Sequence, residues 1–170
     1  EKLISDPIVE KAVRIVINKP EGKLTEADLE KITGLSLSDT KITDAGLKEL
    51  AKLQKLERLD LVETKITDAG FRDLAELQNL KSLRLNRTKI TDEGLRELSK
   101  LKQLVILTLF STQITDAGLK EVAKLQKLEE LDLIGTQITD EGLKEVTKLQ
   151  RLQELYLNNT KITDAGLKGV

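Results

Sequence analysis

The string Ile-Thr-Asp-(Ala/Glu)-Gly-(Leu/Phe) occurs six times, beginning at Ile42, Ile66, Ile90, Ile114, Ile138 and Ile162, each copy 24 residues after the one before. A period of roughly 20–29 residues, with leucines at short fixed offsets, marks a chain that stacks one supersecondary unit repeatedly into a solenoid. One unit runs Leu56-x-x-Leu59-x-Leu61-x-x-Thr64-x-Ile66-Thr67-Asp68-Ala69-Gly70-Phe71-x-x-Leu74-x-x-Leu77, and Leu80 opens the next. A unit this short cannot bury its apolar face alone, so neighbours must share one continuous core of Leu and Ile.

The hydrophobic period changes inside each unit. Leu59-x-Leu61 alternates, which predicts a short strand with leucines inward and Arg58, Asp60 and Val62 outward. Strands are expected near 35–37, 59–61, 83–85, 107–109, 131–133 and 155–157. From Thr67 the period lengthens: Phe71, Leu74 and Leu77 share one side with Lys or Glu opposite, which predicts an amphipathic helix capped by Thr or Asp. Strands stack about 4.8 Å apart while helix axes need roughly 8–10 Å, so the stack must curve around its strands. The expected fold is α/β: a right-handed solenoid arc with a parallel concave sheet and a helical convex face.

Residues 1–28 read as an N-terminal helical cap and residues 29–170 as the repeats, the last of them incomplete. Asp6-Pro7 is an N-cap followed by proline at the first helical position, and Ile8, Val9, Ala12, Val13, Val16 and Ile17 follow at helical spacing. This helix is expected to lie as a lid on the end of the stack, with Ile8, Val13, Val16 and Ile17 on the first repeat. Asn18 to Gly22 is a turn, and Thr25-Glu26-Ala27-Asp28 opens a second, short helix with a capping-box pattern. A start at Glu1, the lack of Met and an end at Val170 read as an excised piece of chain.

Composition narrows the chemistry. The 28 basic and 29 acidic residues leave a net charge of −1, so no long-range field favours nucleic acid or an anionic membrane. With no Cys and no His, the chain lacks thiol catalysis, Cys zinc sites and the usual general base at neutral pH. No segment is long and apolar enough to be a signal peptide or to cross a membrane as a helix. The reading is that of a non-enzyme with no catalytic residues, no metal and no cofactor.

The recurrent polar positions have structural explanations. The threonine column of Thr40, Thr64, Thr88, Thr112, Thr136 and Thr160 follows each strand, where buried hydroxyls are expected to bond the backbone of their own and the next repeat. The recurring glycines fall near helix starts, where a missing Cβ permits close approach. The recurring aspartates are expected to cap helices; a calcium ladder would need several oxygens converging at about 2.4 Å. Asn86-Arg87-Thr88 and Asn158-Asn159-Thr160 match the glycosylation pattern, a weak signal outside a eukaryotic secretory pathway.

The repeat varies freely only at the outward strand positions. Arg58, Ser82, Ile106, Glu130 and Glu154 form one column, Asp60, Arg84, Thr108, Asp132 and Tyr156 a second, and Val62, Asn86, Phe110, Ile134 and Asn158 a third. Ile106, Phe110, Ile134 and Tyr156 occupy positions expected to be wet on the later repeats and are expected to fall close to one another as an exposed apolar patch, with Arg84 and Arg87 flanking them. Aromatic side chains beside arginine are typical interface anchors, so these six are the candidate partner-binding residues.

The pattern Leu-x-x-Leu-x-Leu-x-x-Thr-x-Ile-Thr-Asp-x-Gly-Leu resembles the leucine-rich repeat, in its bacterial 24-residue form, over residues 29–170. The Thr stands where many members carry Asn or Cys. Residues 6–37 resemble the N-terminal caps of bacterial, internalin-like repeat proteins, although the calcium-loop helical cap of internalins is not clearly matched. The resemblance implies a protein-binding module that recognises a protein partner through its concave face. Self-association through the concave patch or the uncapped C-terminal end stays open at this point. So do two other readings: an engineered or purely structural scaffold without a selected ligand, and the recognition fragment of a larger effector enzyme.

Overall fold

The computed structural model describes residues 1–169. Two helices, α1 (Pro7–Ile17) and α2 (Glu26–Glu30), precede six strand–helix units. The strands are β1 (Gly34–Ser36), β2 (Arg58–Asp60), β3 (Ser82–Arg84), β4 (Ile106–Thr108), β5 (Glu130–Asp132) and β6 (Glu154–Tyr156). They alternate with α3 (Asp44–Leu50), α4 (Asp68–Leu74), α5 (Asp92–Leu98), α6 (Asp116–Val122), α7 (Asp140–Val146) and α8 (Asp164–Leu167). All six strands form one parallel sheet in sequence order. Every pairing aligns residues 24 apart, as in Leu59 with Leu83, because the repeat itself sets the register. The protein is an α/β solenoid.

Each strand begins one residue before the expected position. The pairing nevertheless continues past it: the Leu37 amide donates to Asp60 O at 2.8 Å and the Leu61 amide to Arg84 O at 2.9 Å. The helices are shorter than expected. Leu77 follows α4 in a turn in which its amide donates to Leu74 O at 3.0 Å, and it is still fully buried. Leu56, Leu59, Leu61, Ile66, Leu74, Leu77 and Leu80 join one core that continues to Leu149, with Leu152, Leu155, Leu157 and Ile162 of the last repeat partly buried against its end, and Phe71 occupies a leucine position in it. Each such side chain contributes roughly 1.5–3 kcal/mol by leaving water.

The repeated Thr-Asp-x-Gly is an inter-repeat clamp, which corrects the capping expectation. In α3, α4, α5, α6 and α8 the N-cap threonine makes no side-chain cap bond. The aspartate of the preceding repeat receives it instead: Asp92 accepts from the Thr115 amide at 2.8 Å and from the Thr115 hydroxyl at 2.5 Å. The same pair of bonds joins Asp44 to Thr67, Asp68 to Thr91, Asp116 to Thr139 and Asp140 to Thr163. Both bonds from Thr163 hold the Asp140 carboxyl below its usual pKa. The glycine of each later copy makes room for this carboxylate. A Cβ on Gly70 would lie 2.8 Å from Asp44 Oδ1, closer than a real side chain allows. The threonine column after the strands bonds within its own repeat: Thr64 and Thr88 hydroxyls donate to Leu61 O and Leu85 O at 2.8 Å.

Helix α1 covers the first repeat with Val9 and Val13, both fully buried, while Ile8, Ala12 and Ile17 are partly covered. Val16, expected to be covered, is 48% exposed beside Ile15 at 69%. Its angle on the helix is right, but it lies in the last turn. There α1 overhangs a groove of about 640 Å³ lined by Ser36, Leu37, Asp39 and Lys41. Asp6 caps α1 through the Ile8 and Val9 amides, and Asp28 closes a capping box with Thr25.

Candidate concave interface

Two levels of structure present the variable side chains. Alternation along each strand turns the leucines into the core and their neighbours out onto the sheet face. Past each strand a tight turn follows, with Asp39, Glu63, Arg87, Ser111 and Asn159 in the left-handed region, and Gly135 at the fifth of the six turns. The amides of these turns stay tied to the next repeat: Arg87 donates to Phe110 O at 2.8 Å and Ser111 to Ile134 O at 2.9 Å. The backbone of the wall is therefore hydrogen-bonded from repeat to repeat as far as the third column.

The candidate residues divide on this wall. Phe110 on the turn after β4 and Ile134 on the turn after β5 are 24 residues apart and neighbours in the third column. Ile106 starts β4 on the other side of Thr108, about 13 Å from Phe110 by strand rise. Tyr156 ends β6 and is 41% exposed. Ile106, Phe110 and Ile134 are half-buried, not fully exposed as expected, because stacked neighbours flank each of them. Phe110 is also roofed. The Arg87 guanidinium sits 5.2 Å from its ring centroid and is 2.6 Å from Glu63. A cation over an aromatic face is worth about 0.5–1 kcal/mol at an exposed site. Arg87 is thus a lid on the ring as well as a flank, while Arg84 is half-buried and among the described residues makes no ion pair.

Three features of the wall escaped the sequence reading. Asn86 Oδ1 accepts from the Phe110 amide at 3.0 Å, so the glycosylation-pattern asparagine positions the aromatic residue of the next repeat. Thr108 is only 2% exposed, and its hydroxyl has no hydrogen-bond partner. Glu130, Asp132 and Glu154 gather carboxylates on β5 and β6. Tyr156 donates to Glu154 Oε2 at 2.8 Å, and this bond, with the nearby carboxylates, raises the phenol pKa above its ordinary value. A cross-repeat bond such as that of Asn86 has no signal within one repeat, but comparison of each column with its neighbours 24 residues on shows the acidic cluster.

No group of three or more Asp or Glu that could hold a metal ion occurs among the described residues. Both oxygens of each clamping aspartate already accept from threonine.

Leucine Rich repeat family models match residues 29–51, 52–75 and 76–99, and a two-copy Leucine Rich repeats model matches residues 126–169. The chain belongs to the leucine-rich-repeat family. Its fold is similar to that of an internalin, inlF, from Listeria monocytogenes, with TM-score 0.60 and 24% identity over 94% of this chain and 58% of that one. Internalin C2 from the same organism aligns at TM-score 0.55 and 25% identity, over 95% of this chain and 88% of that one. A leucine-rich-repeat protein of Leptospira interrogans aligns at TM-score 0.64 and 26% identity, over 84% of this chain and 35% of that one. This leucine-rich-repeat chain therefore spans little more than half of inlF. A comparison with curated protein sequences gives no match. Leucine-rich repeats generally mediate protein–protein interaction, and no helix among the described residues is long and apolar enough to cross a membrane.

Proposed function

We propose that this chain is a non-catalytic recognition module that binds a protein partner through the sheet face around Phe110, with Ile106, Ile134 and Tyr156 as apolar anchors and Arg84 and Arg87 as the polar flank. The carrying observation is the placement of variation. The side chains inside are set by packing, the Thr-Asp-x-Gly positions are set by the clamp, and the outward strand positions answer to neither. Ligands selected from a displayed peptide library against the full chain test the reading. Phe110→Ala or Tyr156→Ala should weaken them by about 1–3 kcal/mol, and Lys120→Ala on the opposite face should leave them unchanged. Selected ligands that ignore both aromatic substitutions would favour a scaffold on which the patch is merely tolerated.

Self-association is a second reading, supported by the outer edge of β6, which has no strand partner among the described residues, and by Leu167, which is 50% exposed. A sedimentation experiment on the chain, with Leu167→Lys as control, tests it: a concentration-dependent dimer that the substitution abolishes supports it, and a monomer throughout rejects it.

A further inference from the structure

The outward charges are sorted along the solenoid. On β2 and β3 stand Arg58, Asp60 and Arg84; on β5 and β6 stand Glu130, Asp132 and Glu154; β4, between them, carries none. Among the described residues Arg58 and Arg84 face no carboxylate within ion-pair distance, and no lysine or arginine comes within 4.0 Å of the three acidic groups. Asp60 and Asp132 spend one oxygen each on the amides of Val62 and Ile134, at 2.9 and 3.0 Å, so these bonds discount the two carboxylates alike, and Arg58 with Arg84 still outnumber Asp60. Arg87 is already matched by Glu63. One end of the wall is left with a cationic excess and the other with uncompensated anions, separated by the uncharged β4 repeat with Phe110, while Ile134 lies beside Phe110 at the level of β5.

We infer that the wall accepts an extended polypeptide segment lying along the solenoid axis, with a basic side chain over β5 and β6, an apolar side chain on Phe110 and Ile134, and an acidic side chain toward Arg58 and Arg84. This rests on the reading of the wall as a binding surface. Strands about 4.8 Å apart put roughly 10 Å between β3 and β5 and about 19 Å between β2 and β6. An extended chain rising about 3.3 Å per residue covers those spans in roughly three to six residues. A nucleic acid or an anionic lipid surface would bring phosphates against the acidic end, where nothing neutralises them. Thr108 stands between Arg84 and Asp132 in the sheet register, so the buried hydroxyl without a partner lies under the middle of this path.

Three short synthetic peptides with one Leu-Trp core test the inference against the full chain: Lys on one flank and Glu on the other, Ser on both, or Glu on both. The mixed-charge peptide should bind about tenfold or more tightly than the Ser-flanked one, and rising salt should erode the difference. Glu130→Gln with Glu154→Gln, or Arg58→Gln with Arg84→Gln, should each remove part of that advantage, and Phe110→Ala should weaken every peptide. If the mixed-charge peptide binds no better than either of the others while Phe110→Ala still weakens them all, the charge assignment is wrong and the binding wall stands. Binding that is indifferent to Phe110→Ala, or no binding by any peptide, overturns both.

Discussion

The aspartate of each Ile-Thr-Asp-x-Gly copy shows how much a single position can carry. Asp92 holds the amide and the hydroxyl of Thr115, and Gly118 leaves space for its carboxylate. Asp92→Ala should lower stability by about 2–3 kcal/mol in chemical denaturation, since hydrogen bonds to charged groups are worth about 1.5–3 kcal/mol. Gly118→Ala should also destabilise, because its methyl would press on Asp92 and on Leu95 Cδ1. The two costs should not add: once the carboxylate is gone, part of the methyl's space is free, and a double variant as unstable as the sum of the singles would contradict the clamp. Since the clamp occupies the aspartate oxygens, adding calcium to the chelated chain should leave its melting temperature unchanged; a reproducible rise would mean that the carboxylates bind the ion. Thr108→Val should leave stability unchanged or raise it by up to about 1 kcal/mol, because it removes a buried hydroxyl that has no partner.

The elements were mostly legible as alternations of period, and they departed from expectation where contacts cross from one repeat to the next. Leu59-x-Leu61 announced β2, and the 24-residue spacing announced its register with β3. Thr67, by contrast, is an ideal N-cap by sequence yet gives its hydroxyl to Asp44, a partner 23 residues away that local rules do not see. Val16 fits the buried face of α1 by angle but not by height. Deleting residues 1–22 would strip Ile4, Val9 and Val13, each at most 1% exposed, from the first repeat. At roughly 1.5–3 kcal/mol per side chain the loss should reach about 4 kcal/mol or more, and a denaturation midpoint equal to that of the full chain would contradict the role of the cap. The short helix α2 adds a pH dependence. A hydrogen bond from Lys19, followed by one from the Thr25 amide, lowers the Asp28 carboxyl to a pKa of about 2. An unfolded-state value near 3.9 then means that its stabilising contribution is complete above about pH 4 and disappears as pH falls toward 2. Asp28→Asn should lower stability at neutral pH and flatten the decline across that acid window, as followed by denaturation at a series of pH values; an unchanged slope would place the lost protonation elsewhere.

Over the whole molecule, the parts of the repeat that recur hold it together, and the parts that vary face outward from the sheet. The composition of the wall was legible, since Ile106, Phe110, Ile134, Tyr156, Arg84 and Arg87 could be placed on it by counting from one repeat to the next. Its texture was not. Half-burial of the apolar residues, the guanidinium roof over Phe110 and the Asn86 bond beneath it all arise between repeats, from side-chain directions that counting does not supply. The exposed Ile15 and Val16 on α1 offer a competing apolar surface at the far end of the chain. Hydroxyl-radical footprinting of the full chain, free and saturated with a library-selected ligand, separates the two surfaces because aromatic and aliphatic side chains report their own exposure. Ligand should sharply reduce oxidation of Phe110 and Tyr156 while Ile15, Val16 and the outer helices react as in the free chain; protection confined to α1 or to the outer helices would rule out recognition on the sheet face.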